Sequence, residues 1–107
     1  MIEQIIHSLT VPTRREILDL LRNGELTSSE IAKNFSFSAP AISQHLKVLE
    51  QSGLVIVRKA GTKRYYRIRR EGFGELKQFV DQFWDDSLLR LKEAAEEEER
   101  RKHESND

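Results

Sequence analysis

The chain has 107 residues, no cysteine and a formal net charge of zero. That length allows one domain with a modest core, and the missing thiols exclude disulfides, thiolate metal ligands, thiol redox sensing and cysteine nucleophiles together. The neutral total hides a division: residues 1–70 hold 12 Lys/Arg against 6 Asp/Glu, and residues 71–107 hold 6 against 12.

Ile2, Ile5, Ile6 and Leu9 recur at helical spacing and predict a short amphipathic helix with Glu3 and His7 on its polar side. Pro12, with Thr10 as a candidate cap, opens a second helix to about Arg22, stopped by Asn23-Gly24. Thr27-Ser28-Ser29-Glu30 has the spacing of a capping box and starts a third helix, expected to reach about Phe35 and to bury Ile31, Ala32 and Phe35.

Residues 38–53 carry the sharpest local pattern. Ser38 can cap a helix, Pro40 is tolerated in the first turn where amide hydrogens have no partner, and Gly53 can close the far end. Ile42, Leu46 and Leu49 share one face, so Pro40, Ser43, Gln44, Lys47 and Gln51 project from the other. That face carries no acid. Gln suits an adenine edge, Ser several bases, and Lys guanine or phosphate, so the helix fits a DNA major groove; an ordinary solvent-facing helix would look much the same. Two short helices joined by a tight turn form a helix-turn-helix, which is more specific than either helix.

After Gly53 the period changes. Residues 54–57 are apolar and residues 63–69 alternate, with Gly61 at the reversal, so a hairpin is expected with Tyr66 and Ile68 on its core side. Arg58, Lys59, Lys63, Arg64, Arg67, Arg69 and Arg70 fall in a stretch without one acid. Edge strands use an occasional Lys or Arg to discourage aggregation, but seven cations beside a candidate groove helix fit a DNA-contacting wing better, with Lys63 and Arg64 nearest its tip. Arg69 and Arg70 could instead pair with Glu71 or with another chain.

From Glu71 a long helix is expected, with Leu76, Phe79, Val80, Phe83, Trp84, Leu88 and Leu91 forming a seam that continues to Ala94 and Ala95. So small a domain cannot cover that seam, so a matching helix from a second copy is expected, with the isoleucines of the first helix joining the same interface. The whole is therefore expected as one domain over residues 1–98 and a charged, fraying tail over residues 99–107. No phosphate-cradling glycine loop or His-rich metal spacing is present, so no enzymatic activity, cofactor or metal is expected. No apolar run approaches the ~20 residues that span a bilayer, and Met1-Ile2-Glu3-Gln4 is unlike a signal peptide, so a cytoplasmic protein without a membrane partner is expected.

Residues 12–21, 26–32, 43–55 and 61–68 together resemble the ArsR-type winged helix-turn-helix repressors of bacteria and archaea. The resemblance implies a mainly α fold with a small β-hairpin, ordered α-α-α-α-β-β-α, and a homodimer built from its first and last helices on an inverted-repeat operator. Carried over residue by residue, it places Ser38, Pro40, Ala41, Ser43, Gln44, His45 and Lys47 on the recognition helix. Arg58, Lys59, Lys63, Arg64 and Arg67 fall on the wing, and Ile2, Ile5, Ile6, Leu76, Phe79, Val80, Phe83, Trp84, Leu88 and Leu91 at the dimer interface. His45 lies at the edge of the buried face, so DNA contact and a structural hydrogen bond both remain open for it. Metal-sensing members place cysteines around the position of Leu26-Thr27-Ser28-Ser29-Glu30, or Asp and His on the last helix; here there is no cysteine and no His in residues 71–99. An unidentified small ligand, a partner protein or nothing beyond autoregulation is left open as the means of release. The alternative to duplex DNA is a winged-helix module that binds a protein or RNA.

Overall fold

The computed structural model describes residues 2–105. Its elements are α1 (Ile2–Ser8), α2 (Pro12–Leu20) followed by a 3-10 turn (Leu21–Asn23), β1 (Leu26–Thr27), α3 (Ser28–Ala32), α4 (Ala39–Gln51), β2 (Val55–Ala60), β3 (Lys63–Ile68) and α5 (Arg70–Ser105). The chain divides into two compact units, one ending at Leu76 and one beginning at Lys77.

In the first unit, Ile17, Leu18 and Leu21 from α2 and its extension, Ile31 from α3, Ile42, Leu46 and Leu49 from α4, and Leu54, Val55 and Tyr66 from the hairpin form one buried cluster. Ile5 belongs to it at 1 % exposure, whereas Ile6 beside it is 42 % exposed. Ile5 was expected at a dimer surface, but its side chain is spent on the protein's own core, and Ile2 is half-buried. Leu76 likewise packs against this core.

Thr10 does not cap α2. The cap residue there is Val11, which makes no side-chain bond, while Thr10 Oγ1 donates to the His7 carbonyl at 2.7 Å and closes α1. Arg15 donates to the Leu9 carbonyl at 2.6 Å, covering another acceptor that the end of α1 leaves open. The third helix is shorter than expected and ends at Ala32.

The hairpin gains a third strand. β1 pairs with β3 through Leu26 opposite Tyr66 and Thr27 opposite Tyr65, giving an antiparallel sheet in the order β1-β3-β2. Between β2 and β3, Ala60 faces Lys63, so the loop is Gly61-Thr62. Gly61 has φ 63°, the left-handed geometry that a tight hairpin needs at its first central position.

The end of α4 is closed by Gly53 at φ 81°. The Leu54 amide donates to Leu49 and the Gly53 amide to Glu50, both at 3.0 Å, and Leu49 and Leu54 are both fully buried. These are the paired bonds and the apolar contact of a Schellman stop. The chain then returns to this point: the Arg69 amide donates to the Leu54 carbonyl at 2.9 Å, and Arg69 Nη1 to the Gly53 carbonyl at 3.2 Å. Arg69 therefore has an intramolecular role and is not left for another chain. Gly72, buried in the first turn of α5, lies so close to the Gly53 carbonyl that any Cβ would overlap it.

In the second unit, Phe79 and Phe83 pack edge to face with centroids 5.1 Å apart, and Lys77 pairs with Asp81 at 2.7 Å. Phe83, Trp84, Leu88, Leu89 and Leu91 are at least half exposed, and Phe79 and Val80 nearly so. The charged end expected to fray is helical as far as Ser105. Its acid block and the basic run after it can pair one turn apart, as Glu97 and Arg101 do at 3.8 Å; the part of that expectation on Asn106 and Asp107 lies outside the described residues. Among the described residues no helix is long and apolar enough to cross a membrane.

Two glycines of α5 separate packing from helix propensity. Gly72→Ala is expected to lower stability by about 1 to 3 kcal/mol, as forced overpacking does. Gly74→Ala, where an added methyl meets nothing within 4 Å, is expected to raise it by up to about 1 kcal/mol. Urea unfolding of the two variants measures both, and equal effects would contradict the close contact at Gly53.

Candidate nucleic-acid interface

The face of α4 follows from its anchoring. Ser38 Oγ accepts from the Ala41 amide at 3.3 Å, which fixes the start. Ile42, Leu46 and Leu49 are at most 1 % exposed, which fixes the rotation. Ser38, Pro40, Ser43, Gln44 and Lys47 are consequently exposed, and Ala41 is half-buried.

His45 does not join them. It is half-buried, and its Nδ1 accepts from Arg14 Nε at 3.3 Å. An arginine can only donate, so the ring nitrogen is the acceptor of this bond. Arg14 also reaches the Ser8 carbonyl at 3.5 Å, so the pair ties α4 to α2 and the end of α1. His45 thus makes the structural hydrogen bond that the sequence left open for it.

Beside the exposed face of α4 lies a cleft of about 540 Å³ lined by Ser28, Ser43, Gln44, Lys47, Glu50, Thr62, Arg64 and Tyr66. Recognition helix and wing therefore form one concave surface. Ser28, Glu50 and Thr62 were not among the expected contacts. Ser28 arrives there because β1, two residues long, docks the start of α3 against β3, and so short a strand has no readable period.

The wing cations divide between the two faces of the sheet. Lys59 and Arg64 are cross-strand partners on the face that carries Tyr66, while Arg58, Lys63 and Arg67 alternate to the other. Arg58 is held there: Nη2 bonds Glu25 Oε1 at 2.7 Å, Nε bonds Oε2 at 3.4 Å, and the guanidinium lies 4.4 Å from the centre of the Tyr65 ring. The Arg58 hydrogen bond holds the Glu25 carboxyl below its ordinary pKa, with Arg67 adding to the effect, and raises Arg58 in turn. Arg58, expected as a DNA contact, is thus paired with Glu25 across the sheet. Arg67, on the same face, lines a separate cavity with Leu18, Leu21 and Phe73. Among the described residues, no group of three or more His, Asp or Glu side chains comes together as a metal site.

Residues 11–57 match the family model described as bacterial regulatory protein, arsR family. The HTH-type transcriptional regulator Rv2034 of Mycobacterium tuberculosis is 43% identical over 76 residues, covering 71% of each chain. The arsenical resistance operon repressor of Staphylococcus xylosus is 40% identical over 77 residues, covering 72% of this chain and 74% of that one. The chain belongs to the arsR family of bacterial regulatory proteins. Solved structures agree with this assignment to the ArsR family. A crystal structure of a possible transcriptional regulator for arsenical resistance superposes with a TM-score of 0.71 at 44% identity, covering 82% of this chain and 92% of that one. A homodimeric winged helix-turn-helix DNA-binding domain from Mycobacterium bovis, solved by NMR, gives 0.64 at 33% identity over 79% of each chain. As an ArsR-family winged helix-turn-helix protein, the chain is a DNA-binding regulator of transcription.

The placing of α3 beside this cleft depends on its capping box, in which Thr27 Oγ1 accepts from the Glu30 amide and Glu30 Oε1 from the Thr27 amide, both at 3.1 Å. The Thr27 amide, then its hydroxyl, hold the Glu30 carboxyl below its ordinary value of 4.5. A folded-state pKa below the unfolded one means that this stability is present above pH 4.5 and is lost as the pH falls through the folded value. Glu30→Gln, which can accept the same amide without a charge, is expected to flatten the acid limb of stability against pH. Thermal melts from neutral into acid buffer measure this, and an unchanged acid limb in the variant would contradict it.

Proposed function

We propose that the protein is a homodimeric repressor whose two recognition helices enter successive major grooves of an inverted-repeat operator, about 34 Å apart. The observation that carries this is the concave surface between α4 and the wing, in which Ser43, Gln44, Lys47 and Arg64 come together with Glu50 as the one acid in the lining. Within it Gln44 and Ser43 read base edges, Gln44 having the paired donor and acceptor that an adenine edge presents. Lys47 serves a guanine or a phosphate, and Arg64, Lys59 and Lys63 hold the backbone beside the half-site. Ser38 and Pro40 flank the point where α4 enters the groove.

The dimer is supported by the exposed apolar seam of Phe79, Val80, Phe83, Trp84, Leu88 and Leu91, which gains little from water and would bury well against a second copy. Ile6 is the residue of α1 left outward for the same purpose. The homodimeric relative from Mycobacterium bovis and the relatives named as repressors support the same reading, and its place of action is the cytoplasm. Release by a small ligand or a partner protein fits a chain with no thiols to sense a soft metal.

Base readout and phosphate grip predict different failures. Gln44→Ala is expected to cost about 1 to 3 kcal/mol on the preferred sequence and little on a scrambled one. Arg64→Ala is expected to weaken both alike and to lower the salt slope by about one. Titrations of matched and scrambled duplexes at several salt concentrations measure this. Identical behaviour of the two variants would overturn the assignment.

A further inference from the structure

We propose that the cavity bounded by α2, the end of β3 and the first turn of α5 is an effector site for a small organic acid, a single carboxylate carried on an apolar body. This deepens the reading above that a small ligand releases the protein from DNA, and rests on that reading for the effect on DNA but not for the binding itself.

The cavity measures about 700 Å³, a size that holds a small molecule. Leu9, Leu18, Leu21, Ile68 and Phe73 form its apolar wall, and every other side chain in the lining is charged. Four of those are arginines and two are acids. Both acids are engaged, Asp19 by Arg22 at 3.1 Å and Glu25 by Arg58, from outside the lining, at 2.7 Å. Arg15 is turned to the Leu9 carbonyl at 2.6 Å. Arg67, which acts on Glu25 through charge alone, and Arg70 remain, and neither forms an ion pair among the described residues. The surplus is positive, so an anion would lower the energy.

The lining selects the class of ligand. It offers no side-chain hydroxyl, amide or imidazole, the groups by which a sugar, a nucleoside or a peptide is recognised. A guanidinium matches a carboxylate through two parallel hydrogen bonds, and the apolar wall rewards a hydrocarbon body that an inorganic anion lacks. None of the lining residues belongs to the apolar seam assigned to the second copy. The site also lies where it can act. Ile68 and Arg70 flank Arg69, whose amide and guanidinium hold Leu54 and Gly53 at the stop of α4. A carboxylate held by Arg67 and Arg70 spans the segment that carries this corner, so the ligand bears on the anchor of the recognition helix. Whatever the ligand then does to DNA affinity, DNA does to ligand affinity by the same factor.

The test titrates the full chain with octanoate, and in parallel with 1-octanol and inorganic phosphate, while amide and methyl NMR signals report where each binds. Octanoate is expected to shift Gly24, Ile68 and the methyls of Leu18 and Leu21, with octanol and phosphate each binding about tenfold more weakly or worse. The double variant Arg67→Gln, Arg70→Gln changes two exposed side chains. It is expected to keep its melting temperature and to lose about tenfold in octanoate affinity. Saturating octanoate is expected to weaken binding of a preferred duplex by about fivefold or more in the unaltered protein and not in the double variant. Octanol or phosphate binding as tightly as octanoate, or shifts confined to residues 79–91, overturns the site. Binding in the cavity that leaves duplex affinity unchanged overturns its role in release. Octanoate binding here by a protein that prefers no duplex would instead remove the repressor reading and leave the acid site standing.

Discussion

The molecule depends on a backbone contact at the end of the recognition helix. Gly53 can take the positive φ that stops α4 within one residue, and Gly72 lets the first turn of α5 approach the backbone of that stop more closely than any side chain would permit. Arg69 binds the same corner twice, through its amide and its guanidinium. The recognition helix, the last residue before α5 and the strands between them are thereby held to one point. A groove-reading helix needs that rigidity, because a displacement of its side chains by an ångström breaks hydrogen bonds to base edges whose useful range is a few tenths of an ångström.

The wing shows how one basic stretch divides its labour. In a sheet, alternate residues point to opposite faces, so a run of cations is divided between two surfaces, and only at the hairpin tip do Lys63 and Arg64 line one depression. Arg64 and Lys59 share the face of the α4 cleft, and Arg58 is turned away, bound to Glu25 and stacked on Tyr65. The exposed Arg58–Glu25 pair contributes little energy by itself. Its effect is on placement, because it joins β2 to the residue just before β1 and so steadies the short strand that brings α3 beside the wing.

Much of the site was legible in the sequence where the signal was local. The Ser38 cap, the Gly53 stop and the period of Ile42, Leu46 and Leu49 together set which side of α4 faces out, and the structure places Ser43, Gln44 and Lys47 there. Resemblance to ArsR-type repressors joined the pieces, and the helix order and winged fold follow it. Distant partners were not legible. His45 meets an arginine 31 positions away and Arg58 a glutamate 33 away, and no periodicity announces either. Helical spacing also could not divide Ile5 from Ile6, since both border the apolar face of α1 and only the packed core decides that one is buried and the other exposed. The strand β1 was hidden inside a capping-box motif, so the nearness of α3 to the wing was hidden with it.

The central claim is that two copies of this surface read two half-sites of one operator. Selection of bound sequences from a random duplex pool at about 0.15 M salt, where weak phosphate-only binding is suppressed, tests it most directly. Enrichment of an inverted repeat whose half-sites lie one helical turn apart is the predicted result. A pool that stays random, or one that converges on a single unrepeated half-site, would contradict it.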